Sequence, residues 1–131
     1  MSDEQRNAEV ISRLAERWNT GDFEGMLDLY DPEIEMIASP DWPDPGTSGK
    51  EAFARYSEEW REAWESVKID IDSLEPRGDT VLALGAWETR GAASGIGGSM
   101  PFGILFSLCD GLVTRHQWFT NLDEARVAAG L

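Results

Sequence analysis

The chain contains one cysteine, Cys109, and one histidine, His116, among 131 residues. A lone cysteine excludes an internal disulfide and a cysteine-based zinc site. In a reducing compartment such a thiol usually serves as a small buried apolar group, so Cys109 is given no role. With one histidine, only carboxylates remain as metal ligands, and these fall mainly on the outer faces of predicted helices; no metal is expected. No apolar run approaches the roughly eighteen residues that cross a bilayer. The opening MSDEQRNAEV lacks the basic start and apolar core of a secretory signal. The expectation is a cytoplasmic protein with no membrane partner.

Positive charge is scarce as well. Eleven Lys and Arg face 25 Asp and Glu, a net charge of -14, and such a field repels phosphate backbones instead of releasing their counterions. Nucleic acid is therefore not an expected partner. The imbalance is concentrated in residues 1–65, which hold 17 acids and 6 bases, as the outer faces of amphipathic helices would. Gly95, Gly97 and Gly98 are not followed by the lysine and then serine or threonine of a phosphate loop, nor by a helix, so they form none, and no cofactor is implied.

What is present has the length and balance of one globular domain, residues 1–131. Val10, Ile11, Leu14 and Trp18 recur at helical spacing over about residues 5–18, with Gly21 as a stop. Asp22 caps a second, short helix carrying Phe23, Met26, Leu27 and Tyr30, which Asp31-Pro32 ends. EIEMIA alternates as a short strand. Ser48 and Glu51 have the spacing of a capping box for a third helix running to about Ser66. Its face is aromatic, with Phe53, Tyr56, Trp60 and Trp64 three or four residues apart.

From Val67 onward the period becomes two. Val67, Ile69 and Ile71 oppose Lys68, Asp70 and Asp72, and three further strands follow, TVLALGAWETR, SMPFGILFSLC and LVTRHQWFT. RGD at 77–79 reads as a turn, the glycine and serine stretch at 91–99 as a connection, and Asp110-Gly111 as a two-residue hairpin. Asn121 and Glu124 open a closing helix that Gly130 stops. Helices followed by strands give an α+β layer: three N-terminal helices on one face of a curved, mainly antiparallel sheet, with a short C-terminal helix.

This order, with the phrases WNTGDFEGMLDLYDPEIEM at 18–36, GKEAFARY at 49–56 and CDGLVTRHQWFTNLDEARVAAGL at 109–131, resembles the SnoaL-like family of the nuclear transport factor 2-like fold. The resemblance implies a cone enclosing a mostly apolar pocket, often in a homodimer. Members range from polyketide cyclases and ketosteroid isomerases to binders without chemistry, so the fold does not choose among them. Six tryptophans and their neighbours supply a lining: Trp18, Tyr30, Trp42, Tyr56, Trp60, Trp87, Met100, Phe102 and Trp118 are the candidate ligand-binding residues. The same side chains would also serve as a packed aromatic core.

Pro40, Pro43 and Pro45 stiffen the loop that carries Trp42. The resemblance puts that loop at the cavity mouth, where Trp42 is either a lid or a contact with a neighbouring subunit. His116 is the candidate catalytic residue, being the one side chain that titrates near neutrality without a shift. Strand alternation puts Thr114, His116 and Trp118 on one face and Val113, Arg115, Gln117 and Phe119 on the other; the first set meets the cavity, and a one-residue slip would reverse this. Glu88 and Arg90 share a strand face and form either a base with its partner or a solvated pair. Ketosteroid isomerases resembling this fold place acids where this chain reads EMIASP and MPFGILF, and the cyclase branch uses an acid on the last strand, where this chain offers Thr114, His116 and Trp118. The expected ligand is a small, largely apolar, aromatic or polycyclic molecule, met by an enzyme of proton-transfer chemistry or by a binder; the alternative is a dimeric scaffold whose filled aromatic core leaves no cavity.

Overall fold

The computed structural model describes residues 2–91 and 97–131; Gly95 and most of the 91–99 connection lie outside the described residues. Ser2 caps the first helix, α1 (Asp3–Thr20), reciprocally with Gln5, and Gly21 closes it at φ 82, a left-handed conformation that costs glycine little. α2 (Phe23–Leu27) begins at Asp22, whose carboxylate accepts the Gly25 N–H. Shorter than expected, it leaves Tyr30 to open β1 (Tyr30–Ile37). The proline loop then ends in a short strand that sequence periodicity did not suggest, β2 (Gly46–Ser48). Ser48 consequently caps no helix: its hydroxyl donates to Glu35 across the β1–β2 pair. α3 (Lys50–Glu62) starts at Gly49 with no side-chain cap and stops short of Ser66, so Trp64 falls on the next strand, β3 (Trp64–Arg77).

β4 (Thr80–Gly91), β5 (Gly97–Cys109) and β6 (Leu112–Phe119) follow, and α4 (Leu122–Ala128) closes the chain with Asn121 accepting the Glu124 N–H. Asp110 and Gly111 both take positive φ, 51 and 81, as a hairpin turn matched to strand twist requires. The six strands form one mixed sheet in the order β2-β1-β6-β5-β4-β3. Every neighbouring pair is antiparallel except β1 with β6, which run parallel. A bulge between Ile71 and Ser73 bends β3 opposite Gly85, where any Cβ would collide with the Asp70 carbonyl. Such bulges increase twist and curl a sheet.

The main core lies between the concave face of the sheet and α1–α3, with Ile11, Tyr30, Ile34, Val81 and Val113 at 1% exposure or less. Each large aliphatic group so buried contributes on the order of 1.5–3 kcal/mol. The far end of α1 also covers the edge of β3. Trp18 Nε1 donates to the Val67 carbonyl at 3.1 Å, and the Asn19 amide both donates to and accepts from the Ile69 backbone at 2.8 and 2.7 Å. An exposed strand edge invites unwanted pairing, and these bonds occupy it. On the convex face α4 packs Ala125 against Leu82, Leu84 and Phe119. Cys109 is exposed at the end of β5 and not buried as expected, because β5 has already passed the core at Leu108. Among the described residues no helix is long and apolar enough to cross a membrane.

Candidate functional site

Between the helices and the sheet lies a cavity of about 350 Å³. Its aromatic wall follows from the alternation along β3–β6 and from the α3 stripe. Register sets Ile69 opposite Trp87 and Trp87 opposite Met100, so their side chains share the concave face. Trp87 is the hub: its ring meets Trp18 at 5.6 Å, Trp60 at 5.7 Å and Phe102 at 5.5 Å, the first two edge to face. Tilted and edge contacts of this kind suit the ring quadrupoles. Trp60 in turn meets Trp64 at 5.6 Å, while Tyr56, one turn earlier on α3, adds its phenol to the wall. The Tyr56 pKa is raised, first by burial and then by the negative charges of Asp44 and Glu59.

β6 brings His116 and Trp118 to the same cavity. His116 sits opposite Phe106 on β5 and beside Met36 on β1. Phe106 stands edge-on to the imidazole at 5.0 Å, and Phe53 is tilted against it at 5.5 Å. The Tyr30 hydroxyl lies 3.3 Å from His116 Nδ1. Apolar surroundings penalise the imidazolium and lower the His116 pKa to about 3, while burial raises Tyr30 above the ordinary phenol range. Both groups are neutral at physiological pH.

The expected alternation holds for His116 and Trp118 and fails two residues before His116, at Thr114. A register shift between Ser107 and Leu108 leaves Thr114 as the extra residue, so Thr114 does not line the cavity and Val113, expected outside, is fully buried in the core. Glu88 and Arg90 are exposed on the convex face, where Glu88 accepts a hydrogen bond from Ser99. They do not meet His116. Among the described residues the lining contains no Asp, Glu, Lys or Arg, and no three metal-ligating side chains cluster.

Trp42 also borders the cavity, 44% exposed, and meets Trp118 edge to face at 5.3 Å. Its loop is tied down by a knot that sequence spacing did not reveal. The Ser39 hydroxyl, 2% exposed, accepts the Thr120 N–H at 3.2 Å and donates to Asp41. Thr120 Oγ1 donates to the same carboxylate at 2.8 Å. These hydroxyls, Ser39 foremost and Thr120 next, lower the Asp41 pKa. Thr120 follows Ser39 by 81 residues, and no local pattern links positions so far apart.

All ten side chains named from the sequence, His116 and the nine candidate ligand-binding residues, border this one cavity. Phe53, Ile71, Pro101 and Thr120 border it as well. Phe53 was visible as part of the α3 stripe; Ile71 was visible as an inward strand residue.

A family model described as SnoaL-like domain matches residues 11–116. No curated protein matches the sequence significantly. Among solved structures, a proposed polyketide cyclase from Xanthomonas campestris pv. campestris superposes with TM-score 0.82 at 23% identity, covering 94% of this chain and 96% of that one. TerC, co-crystallised with polyporic acid, gives TM-score 0.76 at 17% identity over 96% of this chain and 99% of its own. A protein of ketosteroid isomerase-like fold from Catenulispora acidiphila, in complex with trimethylamine, gives TM-score 0.76 at 15% identity over 94% and 93%. At such identities the likeness establishes the fold: the α+β cone.

Proposed function

The chain belongs to the SnoaL-like domain family, and from that membership and its cavity we propose that it binds a small, largely apolar, aromatic or polycyclic molecule. The observation that carries this reading is the uncharged aromatic lining of a space of about 350 Å³, within the range of small-molecule sites. An empty volume of that size argues against a merely filled aromatic core. The polyporic acid held by TerC is consistent with an aromatic ligand. Trp42 acts as a lid in this reading, since its loop is anchored to the end of β6 and its ring rests on Trp118.

The absence of carboxylates from the described lining favours a binder over a general-base enzyme. A second reading, cofactor-independent proton-transfer chemistry, draws on the Tyr30–His116 hydrogen bond, which is suited to polarising a carbonyl. A homodimer, which the family resemblance implies, is part of the proposal, and light scattering tests it.

Titration of tryptophan emission with polycyclic aromatics, steroids and terpenoids tests binding; incubation of any ligand found, with wild type and His116→Ala, separates the two readings. Conversion that depends on His116 overturns the binder reading, and binding without conversion overturns the enzyme reading.

A further inference from the structure

Tyr30 borders the cavity yet is only 1% exposed, so its hydroxyl has almost no access to solvent. A buried hydroxyl whose proton lacks an acceptor is destabilising, and the hydroxyl's one partner among the described residues is His116 Nδ1. Nδ1 must therefore offer its lone pair. A neutral imidazole has one N–H and one lone pair, so the ring proton resides on Nε2. That nitrogen has no hydrogen-bond partner among the described residues. Among the described residues, the side-chain atoms sealed without a partner are Thr47 Oγ1, Trp60 Nε1 and Trp64 Nε1, not His116 Nε2. His116 itself is half-buried and borders the cavity, so its second nitrogen is the one left to face a ligand.

We infer that Tyr30 is a positioning residue that fixes the tautomer of His116, so that the imidazole meets a ligand as an Nε2–H donor, and that the site selects neutral molecules carrying a carbonyl-type oxygen. The selection rests on the reading of the cavity as a ligand site. The tautomer does not. A carboxylate ligand would enter a lining with no Lys or Arg among the described residues, and desolvating an unpaired charge is costly. A ketone oxygen needs one donor and brings no charge. A hydrocarbon of the same shape would leave Nε2–H unmatched. Phe53 and Phe106, packed on the ring at 5.5 and 5.0 Å, hold its plane and supply no competing acceptor.

Because the chain has a single histidine, two-bond proton–nitrogen correlation spectra of the ¹⁵N-labelled protein show one imidazole. In the free protein at neutral pH, Nε2 is expected to be protonated and Nδ1 bare; Tyr30→Phe, which removes only the hydroxyl, is expected to give a mixture of tautomers. A protonated Nδ1 in wild type, or an unchanged pattern in Tyr30→Phe, overturns the inference. The ligand arm uses 9-fluorenone, fluorene and fluorene-9-carboxylate. Fluorenone is expected to bind roughly tenfold or more tighter than either companion, to shift the Nε2 resonance, and to lose its advantage over fluorene in His116→Phe. Equal affinity for all three overturns the selection. No binding by any of them counts against the ligand-site reading, while the free-protein spectrum still decides the tautomer.

Discussion

Trp42 and Trp118 meet edge to face at 5.3 Å, joining the stiff proline loop to the end of β6 and placing an exposed indole over the border of the cavity. The contact ties the loop's sequence to its position. Prolines limit the shapes the loop can take, and the Ser39–Asp41–Thr120 knot selects one of them.

Trp42→Ala is expected to weaken ligand binding several-fold, mainly through faster release, while reducing folding stability by only about 0.5–1.5 kcal/mol, the worth of an aromatic pair. Stopped-flow fluorescence and thermal melts check both halves. Dissociation of a dimer in light scattering would instead identify Trp42 as a subunit contact.

Ser39→Ala removes the acceptor of the Thr120 N–H and a donor to Asp41. Because Ser39 is buried, the expected loss is about 1–2 kcal/mol in chemical denaturation. The Asp41 pKa should also rise toward the ordinary aspartate value, since its leading cause of depression is gone; carboxyl ¹³C shifts followed with pH measure this.

His116 makes stability depend on pH in a definite direction. Its folded pKa is lowered to about 3 against about 6.5 in an unfolded chain, so between those values the unfolded state binds the additional proton. The neutral ring's advantage is complete only well above about pH 6.5 and declines as pH falls toward 3, at a rate that reaches about 1.4 kcal/mol per pH unit between the two values. The groups packed on it, Tyr30, Phe53 and Phe106, carry no charge that would offset this. Wild type and His116→Asn, compared by urea denaturation from pH 7 downward, should differ in slope by an amount that grows toward that limit below about pH 5.5; parallel profiles would show that the imidazole is solvated.

Gly103→Ala tests how α4 is seated. A Cβ there would lie 2.5 Å from the Ala125 Cβ, and overpacking of this kind typically costs about 1–3 kcal/mol. Hydrogen exchange should quicken first in α4, with the concave wall unaffected.

The fold was legible wherever periodicity ran long or a turn demanded particular residues. The α1 stripe, the Asp22 and Asn121 caps and the Asp110-Gly111 turn are all found at their expected positions. Local signals failed where tertiary pairing competed with them. Ser48 has the spacing of a helix cap, yet it bonds to Glu35 because β2 pairs with β1. Thr114 was read as inward because simple alternation contains no bulge. The aromatic cavity wall was readable from α3 and strand periods, since each contributes its own face. The contact between Tyr30 and His116 spans 86 residues and depends on β1 running parallel to β6, which no local pattern announces.

The most direct test of the account is titration of the tryptophan emission of the wild-type chain with 9-fluorenone. A saturable change with one site per chain, weakened in Trp42→Ala, is expected. A change that never saturates, or one left untouched by that substitution, would contradict a lidded ligand cavity.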